Sequence, residues 1–75
     1  MNEHPQITAD PGVMAGKPCL KGTRVTVSNV VRQIAAGRST VEICSDYPYL
    51  TPDLIQAALE FAADVSGSET YELAS

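Results

Sequence analysis

The clearest pattern in this chain is a helical repeat of apolar positions just before its midpoint. Residues spaced at i, i+3, i+4, i+7 and i+8 form the buried stripe of an amphipathic helix. The residues with this spacing are Val27, Val30, Val31, Ile34 and Ala35. Thr26 or Ser28 can cap the start of this helix, and Gly37 is placed to end it. The pattern therefore predicts a first helix that ends at Gly37.

Two more helices are predicted downstream. Ser39-Thr40-Val41-Glu42 fits a capping box. The helix it opens is short, because Pro48 disfavours a helical residue before it. Its predicted apolar side is Val41, Ile43 and Cys44. The last helix has Thr51 as its cap and Pro52 at its first position. Its predicted apolar stripe is Leu54, Ala58, Phe61, Ala62 and Val65, widened by Ile55 and Leu59.

The N-terminal third has the signals of short strands and turns. Ile7 begins a short strand that enters an Asp-Pro-Gly turn at residues 10–12. Lys21–Val27 predicts a second strand, with Val25 and Val27 on one face. Gly22 is expected to adopt a backbone conformation closed to other residues, or to mark a bulge.

The order of elements predicts a mainly α fold. It is a three-helix, helix-turn-helix bundle preceded by a short two-stranded β-arm. We assign residues 1–66 to this domain and residues 67–75 to an acidic C-terminal tail. A 75-residue chain buries only about 60% of its unfolded surface. We therefore expect a homodimer or a protein partner to add stability.

Charge is separated along the chain, whose net charge is −4. All five basic residues lie between Lys17 and Arg38, and no acidic residue interrupts that segment. From Ser39 onward there are seven acidic residues and no basic one. This separation predicts a cationic and an anionic face, each suited to a different partner.

Catalytic and metal-binding patterns are poorly represented. Cys19 and Cys44 are far apart, and His4 is the one histidine, so neither a zinc site nor a nucleophilic triad is indicated. Gly16-Lys17 does not fit a phosphate loop, because Pro18 stands where a hydroxyl is needed. We expect reduced thiols, a solvated His4, no cofactor, no small-molecule substrate and no enzymatic activity. The polar N-terminus and the lack of a long apolar run predict a cytoplasmic protein without a membrane contact.

The cationic segment is a candidate footprint for nucleic acid. The candidate DNA contacts are Lys17, Lys21, Thr23, Arg24, Arg32 and Arg38. The alternatives are structural: Gly22 and Thr23 shape a turn, Arg24 binds carbonyls or acids within a dimer, and Arg32 is solvated. The third helix displays Asp53, Gln56, Glu60 and Asp64 and has no Lys or Arg. We therefore expect it to pack in the core or at a dimer interface, and not to enter the major groove.

Two blocks of the sequence together resemble a known family. They are Gly-Lys-Pro-x-Leu-Lys-Gly-Thr-Arg-Val-x-Val at residues 16–27 and Tyr-Pro-x-Leu-Thr at residues 47–51. The chain from Ile7 to Val65 resembles the domain of unknown function 433 family. Ala15 stands where a second glycine is frequent in that family. The resemblance implies a homeodomain-like three-helix bundle with a β-arm and an antitoxin-like role. It also implies a PIN-like ribonuclease toxin as partner, dimerisation and repression of the operon.

The leading hypothesis is therefore an antitoxin of a toxin-antitoxin pair. The candidate toxin-binding residues are Asp64, Glu69, Tyr71, Glu72 and Leu73. An acidic tail with apolar anchors can fold onto a partner, although an untethered C-terminus is the alternative. The second hypothesis is a stand-alone dimeric DNA-binding regulator without a toxin. A third is an interaction scaffold that dimerises and does not bind DNA.

Overall fold

The computed structural model describes residues 4–66, which form a mainly helical fold. Two short strands, β1 (Ile7–Thr8) and β2 (Cys19–Leu20), pair in one antiparallel sheet. Helices α1 (Val27–Ala35), α2 (Thr40–Asp46) and α3 (Pro52–Val65) follow. A short 3₁₀ turn lies at Met14–Gly16 between the strands. The predicted three-helix bundle with an N-terminal β-arm is confirmed.

The second strand lies earlier than predicted. In the sheet, Ile7 faces Leu20 and Thr8 faces Cys19, so the predicted strand at Lys21–Val27 is wrong. The chain turns back after Leu20. The Leu20 amide donates to the Val25 carbonyl at 2.9 Å, and the Thr23 amide donates to the Leu20 carbonyl at 3.0 Å. Gly22, with φ of 78°, supplies the left-handed conformation that this turn requires. Val25 and Val27 are both buried, as the alternation predicted.

Each helix begins at its predicted cap. The hydroxyl of Thr26 accepts a hydrogen bond from the Asn29 amide at 3.0 Å. At α2, the Glu42 amide donates to the Ser39 hydroxyl at 3.1 Å, and the Ser39 amide donates to the Glu42 carboxylate at 2.9 Å. The hydroxyl of Thr51 accepts from the Leu54 amide at 3.2 Å. These bonds satisfy amides that a helix leaves open at its start, so the caps decide where each helix begins.

The 3₁₀ turn is built from residues in left-handed conformations. Met14 has φ of 49° and Ala15 has φ of 57°, although neither is glycine. A left-handed backbone brings the side-chain Cβ close to the carbonyl oxygen and costs about 1–2 kcal/mol per residue. A glycine at position 15 would avoid this strain.

One core holds the arm and the helices together. α1 packs against α3, which also contacts α2 and β1. The buried cluster contains Leu20, Val25, Val27, Val30, Ile43, Leu50, Ile55 and Ala58. Cys19 is buried beside this cluster and Cys44 is half-buried, both as free thiols. Among the residues described, no helix is long and apolar enough to cross a membrane.

Two predicted core residues lie at the surface. Val41 is 78% exposed and Val65 is 62% exposed. Val41 precedes Ile43 by two residues, and on an α-helix that spacing places them on nearly opposite sides. Ile43 is fully buried, so Val41 must point outward. Val65 is the last residue of α3 and projects beyond the core.

His4 is held against α3, contrary to the prediction of a solvated side chain. Its Nε2 atom lies 2.7 Å from the Asp64 carboxylate. Its ring meets Phe61 edge-on, with ring centroids 5.2 Å apart. These contacts bind the start of the described chain to the last turns of α3. They join residues 60 positions apart, a distance over which no sequence pattern operates.

We expect Ile43→Ala to lower the free energy of unfolding by about 2–5 kcal/mol, because it leaves a cavity in the core. Ile43→Val should lower it by about 0.5–1.5 kcal/mol and keeps the test usable if the alanine variant does not fold. Val41→Ala is the matched control on the same helix and should change it by less than about 0.5 kcal/mol. Urea unfolding followed by circular dichroism measures all three. Equal losses at positions 41 and 43 would contradict the placement of α2.

A double-mutant cycle tests the contact between His4 and α3. We expect His4→Ala and Asp64→Ala each to destabilise the protein, and the double variant to lose less than the sum of the two. The coupling should be about 0.2–1 kcal/mol, as for other partly exposed pairs of polar side chains in contact. Pairing His4→Ala with Glu60→Ala provides the control, since Glu60 is bonded to Gln56 on the same helix. Strict additivity in both cycles would show that His4 does not bind Asp64 in solution.

Candidate functional site

The Arg38 side chain is bound by other residues of the same chain. Its guanidinium donates to the Asp46 carboxylate at 2.8 Å, to the Gln33 side chain at 3.3 Å and to the Glu42 carbonyl at 3.3 Å. The hydrogen bond to Asp46 raises the pKa of Arg38 above its ordinary value, so the guanidinium stays charged. Arg38 therefore joins the end of α1 to α2. Among the described residues, Arg38 is the candidate DNA contact whose charge is already paired with an acidic side chain.

Thr23 also has an internal role. Its hydroxyl donates to the Leu20 carbonyl at 2.8 Å and accepts from the Val25 amide at 3.0 Å. Both bonds close the turn that follows β2, so the side chain is occupied within the hairpin. This geometry favours the structural alternative for Thr23. The positive φ of Gly22 favours it for that residue as well.

The other four cations remain available to a ligand. Lys17, Lys21, Arg24 and Arg32 are exposed. Within residues 4–66, their side chains make no hydrogen bond or ion pair. They belong to the arm and to α1, so a cationic surface on this fold comes from the N-terminal half, as the charge pattern indicates.

An apolar groove of about 420 Å³ lies between α1 and α3. Its lining is mostly hydrophobic, with Lys17 as its charged member. The other lining residues are Pro18, Thr26, Val27, Ser28, Val31, Phe61, Ala62 and Val65. Phe61 and Val65 belonged to the predicted core stripe of α3, so the stripe continues from the core to the surface. We call this surface the α1–α3 groove.

A second, more polar recess of about 410 Å³ joins distant parts of the sequence. Its lining residues are Gly22, Thr23, Arg24 and Tyr49. Tyr49 is 59% exposed, and its ring lies edge-on to Tyr47 with centroids 6.1 Å apart. The Gly-Thr-Arg block and the Tyr-Pro block therefore meet at one surface, which we call the Arg24–Tyr49 recess. No sequence signal pointed to Tyr49 as a site residue, because a turn residue has no periodic pattern.

The predicted toxin-binding residues fall into two groups. Asp64 is half-buried and paired with His4, so its carboxylate has a role within the fold. Glu69, Tyr71, Glu72 and Leu73 lie outside the described residues. In the part of the chain that is described, no three His, Cys, Asp or Glu side chains are grouped to hold a metal ion.

Comparison with known proteins places the chain in a family. One relative is the "Uncharacterized protein y4eO" of Sinorhizobium fredii, which is 34% identical over 56 residues. That match covers 75% of this chain and 25% of the relative, so the chain spans about a quarter of the relative's length. No solved structure matches this chain. Residues 7–62 match the family described as "Protein of unknown function (DUF433)", and the chain belongs to that family.

Proposed function

We propose that this protein is a cytoplasmic antitoxin without enzymatic activity. It binds and neutralises a PIN-like ribonuclease toxin, and as a homodimer or toxin complex it binds its operator DNA. The observation that carries the proposal is the α1–α3 groove, where Val31, Phe61 and Val65 line an open surface of a small acidic chain. An apolar surface of this kind favours burial against a partner protein.

The position of the groove supports a partner that also meets the tail. Val65 lines the groove and is the last residue of α3, and the acidic segment 67–75 begins two residues later in the sequence. A ribonuclease must hold a polyanion, so the surface around its active site attracts negative charge. A partner seated in the groove would have Glu69 and Glu72 within a few residues of the contact.

The DNA-binding part of the proposal depends on the four available cations. A monomer offers only Lys17, Lys21, Arg24 and Arg32, and dimerisation doubles this number. Each added phosphate contact raises the affinity for DNA, so a dimer, with twice the number of cations, should bind DNA much more tightly than a monomer does. The same four cations favour the second candidate, a stand-alone DNA-binding regulator, which differs in having no toxin partner.

Substitution in the groove tests toxin binding. We expect Val65→Lys to abolish capture of the toxin and rescue of growth, because it puts a charge into an apolar contact. Val41→Lys is the matched control: this valine is also exposed on a helix but lies outside the groove. The measurement is co-purification from the native host after nuclease treatment, with growth rescue alongside. Circular dichroism verifies that both variants fold.

Truncation after Gly67 separates the tail from the groove. Loss of rescue with the groove intact assigns part of the binding to the tail. Full rescue by the truncated chain removes the tail from the proposal. If neither Val65→Lys nor truncation affects capture, the proposed toxin-binding surface is wrong. If the protein recovers only its own chain from the host, the stand-alone regulator replaces the antitoxin.

Operator binding should weaken as salt increases. We expect Arg24→Ala and Arg32→Ala each to lower the affinity for operator DNA. Each should also reduce the slope of log affinity against log salt concentration by about one for each phosphate that the variant no longer binds. Arg38→Ala is the matched control and should have a smaller effect, because Asp46 already holds that guanidinium. Fluorescence anisotropy with operator duplex at several salt concentrations measures this. Equal losses in all three variants would contradict the assignment of the cationic surface.

A further inference from the structure

We propose that the Arg24–Tyr49 recess is a binding site for single-stranded nucleic acid. Arg24 and the neighbouring backbone hold a phosphate, and the exposed ring of Tyr49 stacks on an unpaired base. The site goes beyond the proposed antitoxin activity and does not depend on a toxin partner. It shares Arg24 with the proposed operator contacts, and it adds Tyr49, which neither toxin binding nor operator binding uses.

The phosphate half of the site is formed by the turn after β2. Arg24 is exposed and has no bonding partner among residues 4–66. The backbone amides of Gly22 and Arg24 donate no hydrogen bond to any residue in that range, whereas the Thr23 amide is used in the turn. A guanidinium beside unpaired amides in a turn with a left-handed residue is a combination that binds phosphate oxygens.

The backbone beside Gly22 is open to a ligand. A Cβ atom built at Gly22 meets nothing within 4 Å, so the space next to it is unfilled. Gly22 is therefore required for its φ of 78° and not by crowding. A phosphate approaching this turn meets no side chain at that position. Lys21, exposed next to Gly22, adds a second positive charge to the same turn.

The base-binding half of the site is Tyr49. Tyr49 is 59% exposed, and the ring of the half-buried Tyr47 meets its ring edge-on at an interplanar angle of 64°. Contact with a packed neighbour restricts the ring, which lowers the entropy lost when a base stacks on it. Aromatic rings beside cationic groups are the pairing that single-stranded nucleic acid binders use, because every base has a π face.

A single strand fits this recess better than a duplex does. The face of Tyr49 needs an unstacked base, and bases in a duplex are already stacked. α3 begins three residues after Tyr49 and carries Asp53 in its first turn. A carboxylate on that helix opposes insertion into a duplex groove, where phosphates lie on both sides.

The test compares oligonucleotides and matched variants of the full chain. Fluorescein-labelled oligo(dT) and oligo(rU) of about 10 nucleotides and a duplex of similar length are titrated at low salt. Anisotropy gives the affinities, and amide chemical shifts in NMR spectra locate the contact. We expect both single strands to bind more tightly than the duplex, with the largest shifts at Gly22, Arg24 and Tyr49.

The variants separate stacking from general charge. We expect Tyr49→Ala to weaken single-strand binding about tenfold, whereas Tyr49→Phe, which keeps the ring, should bind like the parent. Arg24→Gln should also weaken binding about tenfold. Arg32→Gln removes the same charge outside the lining of the recess and should weaken single-strand binding less than Arg24→Gln does. Circular dichroism verifies that each variant folds. Positions 24 and 49 are exposed, so we expect the fold to tolerate these substitutions.

Three results would overturn the inference. They are unchanged single-strand binding by Tyr49→Ala, equal effects of Arg24→Gln and Arg32→Gln, and tighter binding of the duplex than of either single strand. In the last case operator binding stands while the recess proposal fails. We expect Val65→Lys to lose toxin capture and to bind oligonucleotides like the parent. That result would show that the toxin-binding surface and the recess are separate sites.

Discussion

The reversal of the chain between Pro18 and Val27 positions both the core and the first helix. The Val27 amide donates to the Pro18 carbonyl at 2.9 Å, and the Leu20 amide donates to the Val25 carbonyl at the same distance. Gly22 permits the turn between them because its φ of 78° is strained for other residues. The reversal places Leu20, Val25 and Val27 in the core and Thr26 at the start of α1.

The same reversal explains why the chemistry lies where it does. In the turn Arg24 is exposed, whereas the next residue, Val25, is buried in the core. The turn then meets the α2–α3 connection at Tyr49, and Lys17 just ahead of it borders the groove between α1 and α3. One hairpin thus supplies a cation to each of the two surfaces.

Sequence patterns predicted the structure correctly where the interacting residues are close in the sequence. Thr26, Ser39 and Thr51 cap their helices, because a cap bonds an amide three residues away. The apolar patterns predicted burial wrongly where only part of a helix packs against the core. Val41 satisfies an apolar pattern but lies across α2 from Ile43, and Val65 extends past the end of the packed stripe. The second strand was misplaced because β-branched residues at 25–27 favour extended structure, while pairing with Ile7 selected Cys19–Leu20.

Residue type and short spacing were enough to predict the helices, their caps, the separation of charge and the two blocks typical of the family. The availability of each charge follows instead from the packed fold, because Arg38 is bound by Asp46 and Asp64 is paired with His4. The packing of the helices also brings Arg24 to Tyr49 and opens the groove between α1 and α3. Contacts between residues far apart in the chain depend on how the core packs, and no local period records them.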